Sequence, residues 1–110
     1  MMTVSTERVD GGVVLSLQGR LTVVSTPKLR AAVAEALAAG AAIVVVDLSG
    51  TTFVDSSGLG ALVSSLKSAR QSGGDLRLVA PSEQVSMVLR LTNLDRVLQP
   101  RASVEEAFRD

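Results

Sequence analysis

Residues 55–58 read Asp-Ser-Ser-Gly. They sit between an apolar stretch, "VVVDLSGTTFV", and a run in which Leu59, Leu62, Val63 and Leu66 recur at helical spacing. One carboxylate and two hydroxyls therefore meet at a strand-to-helix joint. The simplest chemistry for such a joint is capping: a side-chain oxygen accepts a hydrogen bond from a free N–H of the first turn, and Gly58 eases the bend. One cap needs one side chain, however, and three polar side chains occur in succession. The joint also lies beyond the carboxyl end of an apolar strand, where α/β sheets display functional groups. A serine hydroxyl without a neighbouring base is a poor nucleophile. It can still be a substrate, because a kinase brings its own base and metal. A helix N-terminus would accommodate the product, since its free N–H groups and positive dipole end favour a phosphate.

The rest of the composition removes other chemistries. The chain of 110 residues has no Cys and no His, which excludes disulfides, thiolate metal sites, cysteine nucleophiles and the usual base of serine hydrolases. No metal, no cofactor and no catalytic residue are expected. The only lysines, Lys28 and Lys67, follow Pro and Leu rather than the glycine of a phosphate loop. Gly58-Leu59-Gly60 begins a dinucleotide fingerprint, but Val63 occupies its last glycine position, and no GxSxG elbow occurs. Eleven basic and eleven acidic residues cancel, with a pI near 6.2, so no nucleic-acid partner is expected. The most membrane-like segment, "ALAAGAAIVVV", is far short of the roughly 20 apolar residues of a spanning helix. No targeting signal is visible in "MMTVSTERVD". The expectation is a cytoplasmic domain with no membrane contact.

Elements that could position the joint follow from the pattern. Residues 3–9 and 13–17 alternate around Asp10-Gly11-Gly12 and predict a hairpin, with 19–24 leaving the second strand. Ser25-Thr26-Pro27 predicts a helix start, with Ser25 as cap and Val24 and Leu29 placed for a hydrophobic staple. Gly40 should end that helix. The continuous apolar run "IVVVDL" at 43–48 predicts a strand buried on both faces. A helix from Ser56 or Ser57 to Ser72 should stop at Gly73-Gly74. A strand around Leu76–Val79 should end before Pro81, and a third helix should run from Ser82 to near Asn93. Val97-Leu98 is expected as a short edge strand, and Ser103 with Glu106 as a capping box for a last helix. Mean hydropathy of +0.36 and 46% hydrophobic residues allow one core of Val, Leu, Ile and Ala. The expected fold class is α/β: one domain over residues 1–110, a mixed sheet made of an N-terminal hairpin and then strand–helix alternation, packed by about four helices.

Taken whole, "VDLSGTTFVDSSGLGALV" resembles the signature of STAS domains, in particular anti-sigma factor antagonists. The segments "LSLQGRLTVVSTPKLRAAV", "LRLVAPSEQVSMVLRLTNLDRVL" and "SVEEAF" fit the same family in the same order. The resemblance implies a non-enzymatic partner switch in transcription regulation, of the kind used in stress response and sporulation. The unmodified domain would bind an anti-sigma factor that is also a serine kinase, and so release the sigma factor. Phosphorylation would then break the complex, and a serine phosphatase would reset it. The family's acceptor is the second serine of the run, here Ser57, with Ser56 as the neighbouring competitor. Asp55, Ser56, Ser57, Gly58, Leu59 and Thr22 are the implied partner-binding positions, although Leu59 also suits a first-turn core residue. At Thr22 the family often has an acidic residue that engages the kinase, so this chain keeps an oxygen there but loses the charge. The free domain is expected to be a monomer. The rival readings are an assembly or sensory module of a stress-signalling complex, without a phosphoswitch, and a nucleotide-binding domain.

Overall fold

A computed structural model describes residues 1–109. The hairpin forms as expected: β1 (Met2–Val9) pairs antiparallel with β2 (Gly12–Leu21). Then follow α1 (Thr26–Ala38), β3 (Ile43–Val54), α2 (Ser56–Gln71), β4 (Asp75–Val79), α3 (Glu83–Leu91), α4 (Asp95–Leu98) and α5 (Val104–Ala107). The sheet order is β1-β2-β3-β4, with β2, β3 and β4 parallel, so the sheet is mixed. Three parallel strands in sequential order, joined by right-handed crossovers, must place α1 and α2 on one face. Leu29 and Val33 of α1 indeed share one core cluster with Leu62 and Leu66 of α2 and with Leu15, Leu17, Val44, Val46 and Leu48 of the sheet.

The run at 43–48 is buried on both sides, as its lack of alternation requires. Val44 and Val46 face the large core. Val45 faces a smaller one with Val14, Val79 and Ala107, closed by α5. Both long helices end in a Schellman motif. At α1 the N–H of Ala41 donates to the carbonyl of Ala36, and that of Gly40 to Leu37; at α2, Gly74 donates to Ala69 and Gly73 to Arg70.

Several expectations are corrected. The second strand does not end near Leu17: Gly19, at φ +111°, absorbs a register shift, and β2 continues to Leu21 beside an equally extended β3. Val97-Leu98 is not a strand. It lies in the short helix α4, and the only parallel bridge among the described residues on that edge joins Val79 to Arg101 instead. With α4 there are five helical segments among the described residues, in line with the about four expected. Ser25 does not cap α1 with its side chain, and no staple forms, because Val24 is 86% exposed while Leu29 is buried. The capping box at α5 is formed in part: Ser103 Oγ accepts from the N–H of Glu106, while the Glu106 carboxylate reaches Ala102 rather than Ser103.

Candidate functional site

β2 and β3 run parallel, so their carboxyl ends lie side by side and the two loops that follow them meet. Leu21 pairs with Val54, the last residue of each strand. The main-chain N–H of Asp55 then donates to the carbonyl of Leu21 at 3.2 Å, which carries the pairing one residue beyond the strands. This is where a parallel sheet exposes side chains for function.

Asp55 is the N-cap of α2, with extended backbone (φ −97°, ψ −177°). Its Oδ1 accepts from the N–H of Gly58 at 2.8 Å, and its main-chain carbonyl accepts from the N–H of Leu59. Its Oδ2 accepts from the N–H of Val23 at 3.2 Å, 32 residues away in the chain. The carboxylate thus holds the helix start with one oxygen and the β2–α1 turn with the other.

That turn is internally bonded. Ser25 Oγ accepts from the N–H of Thr22 and donates to the carbonyl of Arg20 at 2.7 Å. The Thr22 carbonyl accepts from the N–H groups of Ser25 and Thr26, and Thr26 Oγ1 donates to the Val23 carbonyl. The serine expected to cap α1 is therefore spent on the turn before it, a competition open to any short hydroxyl side chain near free backbone groups. The turn displays Val23 and Val24, which are 63% and 86% exposed.

With capping done by Asp55, both serines are left over. Ser56 is exposed and Ser57 half-buried. Neither hydroxyl has a hydrogen-bond partner among the described residues. No buried side-chain oxygen there lacks a partner, so the Ser57 hydroxyl must reach solvent. Gly58 is buried, and its lack of a side chain is required: a Cβ would lie 2.5 Å from the Leu21 carbonyl oxygen. Thr22 is half-buried, and its hydroxyl also has no partner among the described residues. Leu59 is 8% exposed and belongs to the main core, so it presents no apolar anchor at the surface. The exposed apolar side chains beside the joint are Val23 and Val24. Sequence reading did not single them out as surface, and the signal was available: two valines next to a serine that the turn could claim.

The mixed sheet, the two-loop meeting point and the serine pair define a class, and comparison with known proteins agrees with it. Residues 3–107 match the STAS domain family, and the chain belongs to that family. A Thermotoga maritima protein named a candidate anti-sigma factor antagonist is 44% identical over 63 residues, 57% of this chain and 56% of that relative. The match thus spans little more than half the length of that curated relative. A crystal structure of such a protein from Thermotoga maritima superposes with a TM-score of 0.86 at 34% identity, covering 96% of this chain and 91% of that one. The anti-sigma factor antagonist SpoIIAA in its unphosphorylated form gives a TM-score of 0.80 at 27% identity, over 96% of this chain and 93% of that one. The Bacillus cell fate determinant SpoIIAA in the phosphorylated form gives 0.72 at 26% identity, over 96% of both chains.

Proposed function

We propose that this domain is an anti-sigma factor antagonist switched by phosphorylation at Ser57. The observation that carries the proposal is the solvent-reaching Ser57 hydroxyl, without a hydrogen-bond partner among the described residues, in the first turn of a helix already capped by Asp55. It is supported by relatives named as anti-sigma factor antagonists and by a relative with both unphosphorylated and phosphorylated structures. In this reading the unmodified domain binds a cytoplasmic anti-sigma factor with serine kinase activity. The surface covered is the helix tip, Asp55 to Gly58, with the Thr22 turn beside it. The kinase transfers the γ-phosphoryl group of ATP to Ser57 Oγ; the serine proton goes to the kinase's base and ADP leaves. A serine phosphatase reverses the modification. The domain itself is ligand and substrate, not catalyst.

The physical effect of the phosphate falls on docking rather than on the fold. The helix N-terminus accommodates a dianion. Asp55 already places one negative charge at the same tip, and the pair must be desolvated when a partner covers it. Leaving a buried charge uncompensated costs about 3–5 kcal/mol. Even about 3 kcal/mol weakens binding roughly a hundredfold, enough to exchange partners.

The test incubates the protein with candidate anti-sigma kinases and ATP, comparing Ser57→Ala with Ser56→Ala. Ser57→Ala alone should lose the label while still binding the kinase. A label retained on Ser57→Ala moves the acceptor elsewhere and ends this assignment. The free protein should elute as a monomer in sizing chromatography.

A further inference from the structure

The switch just described treats the helix tip as the place where modification is felt. The hydrogen bonds of Asp55 extend that place to a second loop. Asp55 Oδ1 holds Gly58 at 2.8 Å, while Oδ2 holds Val23 at the longer 3.2 Å, in an exposed setting. Residues 22–26 are tied to one another through Ser25 and Thr26, so they behave as one unit. Among the described residues, the only side-chain hydrogen bond from α2 or its cap to that unit is the Val23 arm of Asp55. The unit carries Val23 and Val24, the two exposed valines.

We infer that Asp55 is a strap between the two loops, and that a phosphate on Ser57 undoes its Val23 arm and frees the Val23–Val24 turn. This rests on the phosphoswitch reading for the identity of the modified serine. A dianion two residues along the chain from Asp55 repels the carboxylate. The carboxylate keeps the shorter bond, which also fixes the helix start, and gives up the longer one. Modification then changes the shape of an apolar surface as well as the charge of the tip. The change stays local, because the turn is internally bonded and β2 remains paired through Leu21.

The test needs neither kinase nor partner. The full chain is made with phosphoserine incorporated at position 57 during translation, and amide exchange is followed by NMR. The Val23 amide should exchange about tenfold faster than in the unmodified chain, reporting an opened bond, while the Gly58 amide stays protected. Asp55→Asn, which can keep only one acceptor oxygen, should by itself speed Val23 exchange, and adding phosphoserine to it should change Val23 no further. An unchanged Val23 amide in the phosphoserine protein overturns the strap. So does a full response that persists in Asp55→Asn. The phosphoserine comparison in the otherwise native chain stands even if Asp55→Asn folds poorly. A failed kinase assay with a positive exchange result would sink the partner assignment alone; the reverse outcome would sink the strap alone.

Discussion

Asp55 and Asp75 show how differently one residue type can be used in the same chain. Asp55 makes two hydrogen bonds that join loops distant in sequence. Asp55→Ala removes both, and the loss of the cap alone should cost about 1 kcal/mol, lowering Tm by about 5 °C. Thermal melts of the two proteins check this. Asp75 sits at the start of β4, between Arg70 and Arg77. Burial pushes its carboxyl up, but the Leu76 N–H and the two guanidiniums together outweigh burial and hold it below the usual carboxylate range. A carboxylate depressed in the folded state adds stability above its unfolded value, and that contribution is lost as pH falls through the folded value. Asp75→Asn should therefore lower stability at neutral pH and flatten the fall in stability below about pH 4, measured as urea midpoints along a pH series. That one of the polar side chains at 55–57 caps α2 was legible because a cap is a local pattern; that Asp55 rather than a serine supplies it was not. The hold of Asp55 on Val23 was not legible either, because nothing in the order of residues places position 23 beside position 55 until β2 and β3 are known to end together.

Among the elements, α2 carries a built-in comparison at its two glycines. Gly58 faces the Leu21 carbonyl and the side chains of Leu21 and Val54 so closely that Gly58→Ala must push the strand ends away. It should destabilise the domain by about 1–3 kcal/mol. Gly60, one half-turn on, is exposed, and a Cβ added there would meet nothing within 4 Å. Gly60→Ala should stabilise by about 0.5–1 kcal/mol, since a helix interior favours alanine. Denaturant titration of both variants separates the outcomes, and equal effects would contradict the packing described at Gly58. The helix as a whole was legible because its apolar face repeats over four turns and two glycines close it. The stretch 95–98 was not. Val97-Leu98 is too short for periodicity to separate strand from helix. Leu98 is buried in the main core while Val97 stays exposed, as one turn of helix allows. The α1 cap failed for a different reason: Ser25 had two sets of backbone groups within reach, and the preceding turn took it.

At the scale of the molecule, the mixed character of the sheet was readable from a hairpin followed by strand–helix alternation, while the strand order was not stated in advance and one expected edge strand is absent among the described residues. The length of β3 was not readable either, because "SGTTF" has weak alternation and a glycine. That length has its own mechanical meaning. β4 accompanies β3 only from Ile43 to Asp47. From there to Val54 the strand runs on with β2 alone, steadied by Ser82, whose hydroxyl donates to the Thr51 carbonyl. β1 in turn accompanies β2 only as far as Gly19, opposite Thr51, so the sheet narrows from four strands to three and then to two, and the serine-bearing tip follows the last pairs, Arg20 with Phe53 and Leu21 with Val54. Such a narrow end can loosen while the wider part of the sheet stays intact. In native-state exchange the amides of Val44 to Val46 should open only with the whole domain, and those of residues 52–54 at lower free energy. In the proposed reading, a kinase draws that tapered end into its own cleft while the broad part of the sheet keeps its shape.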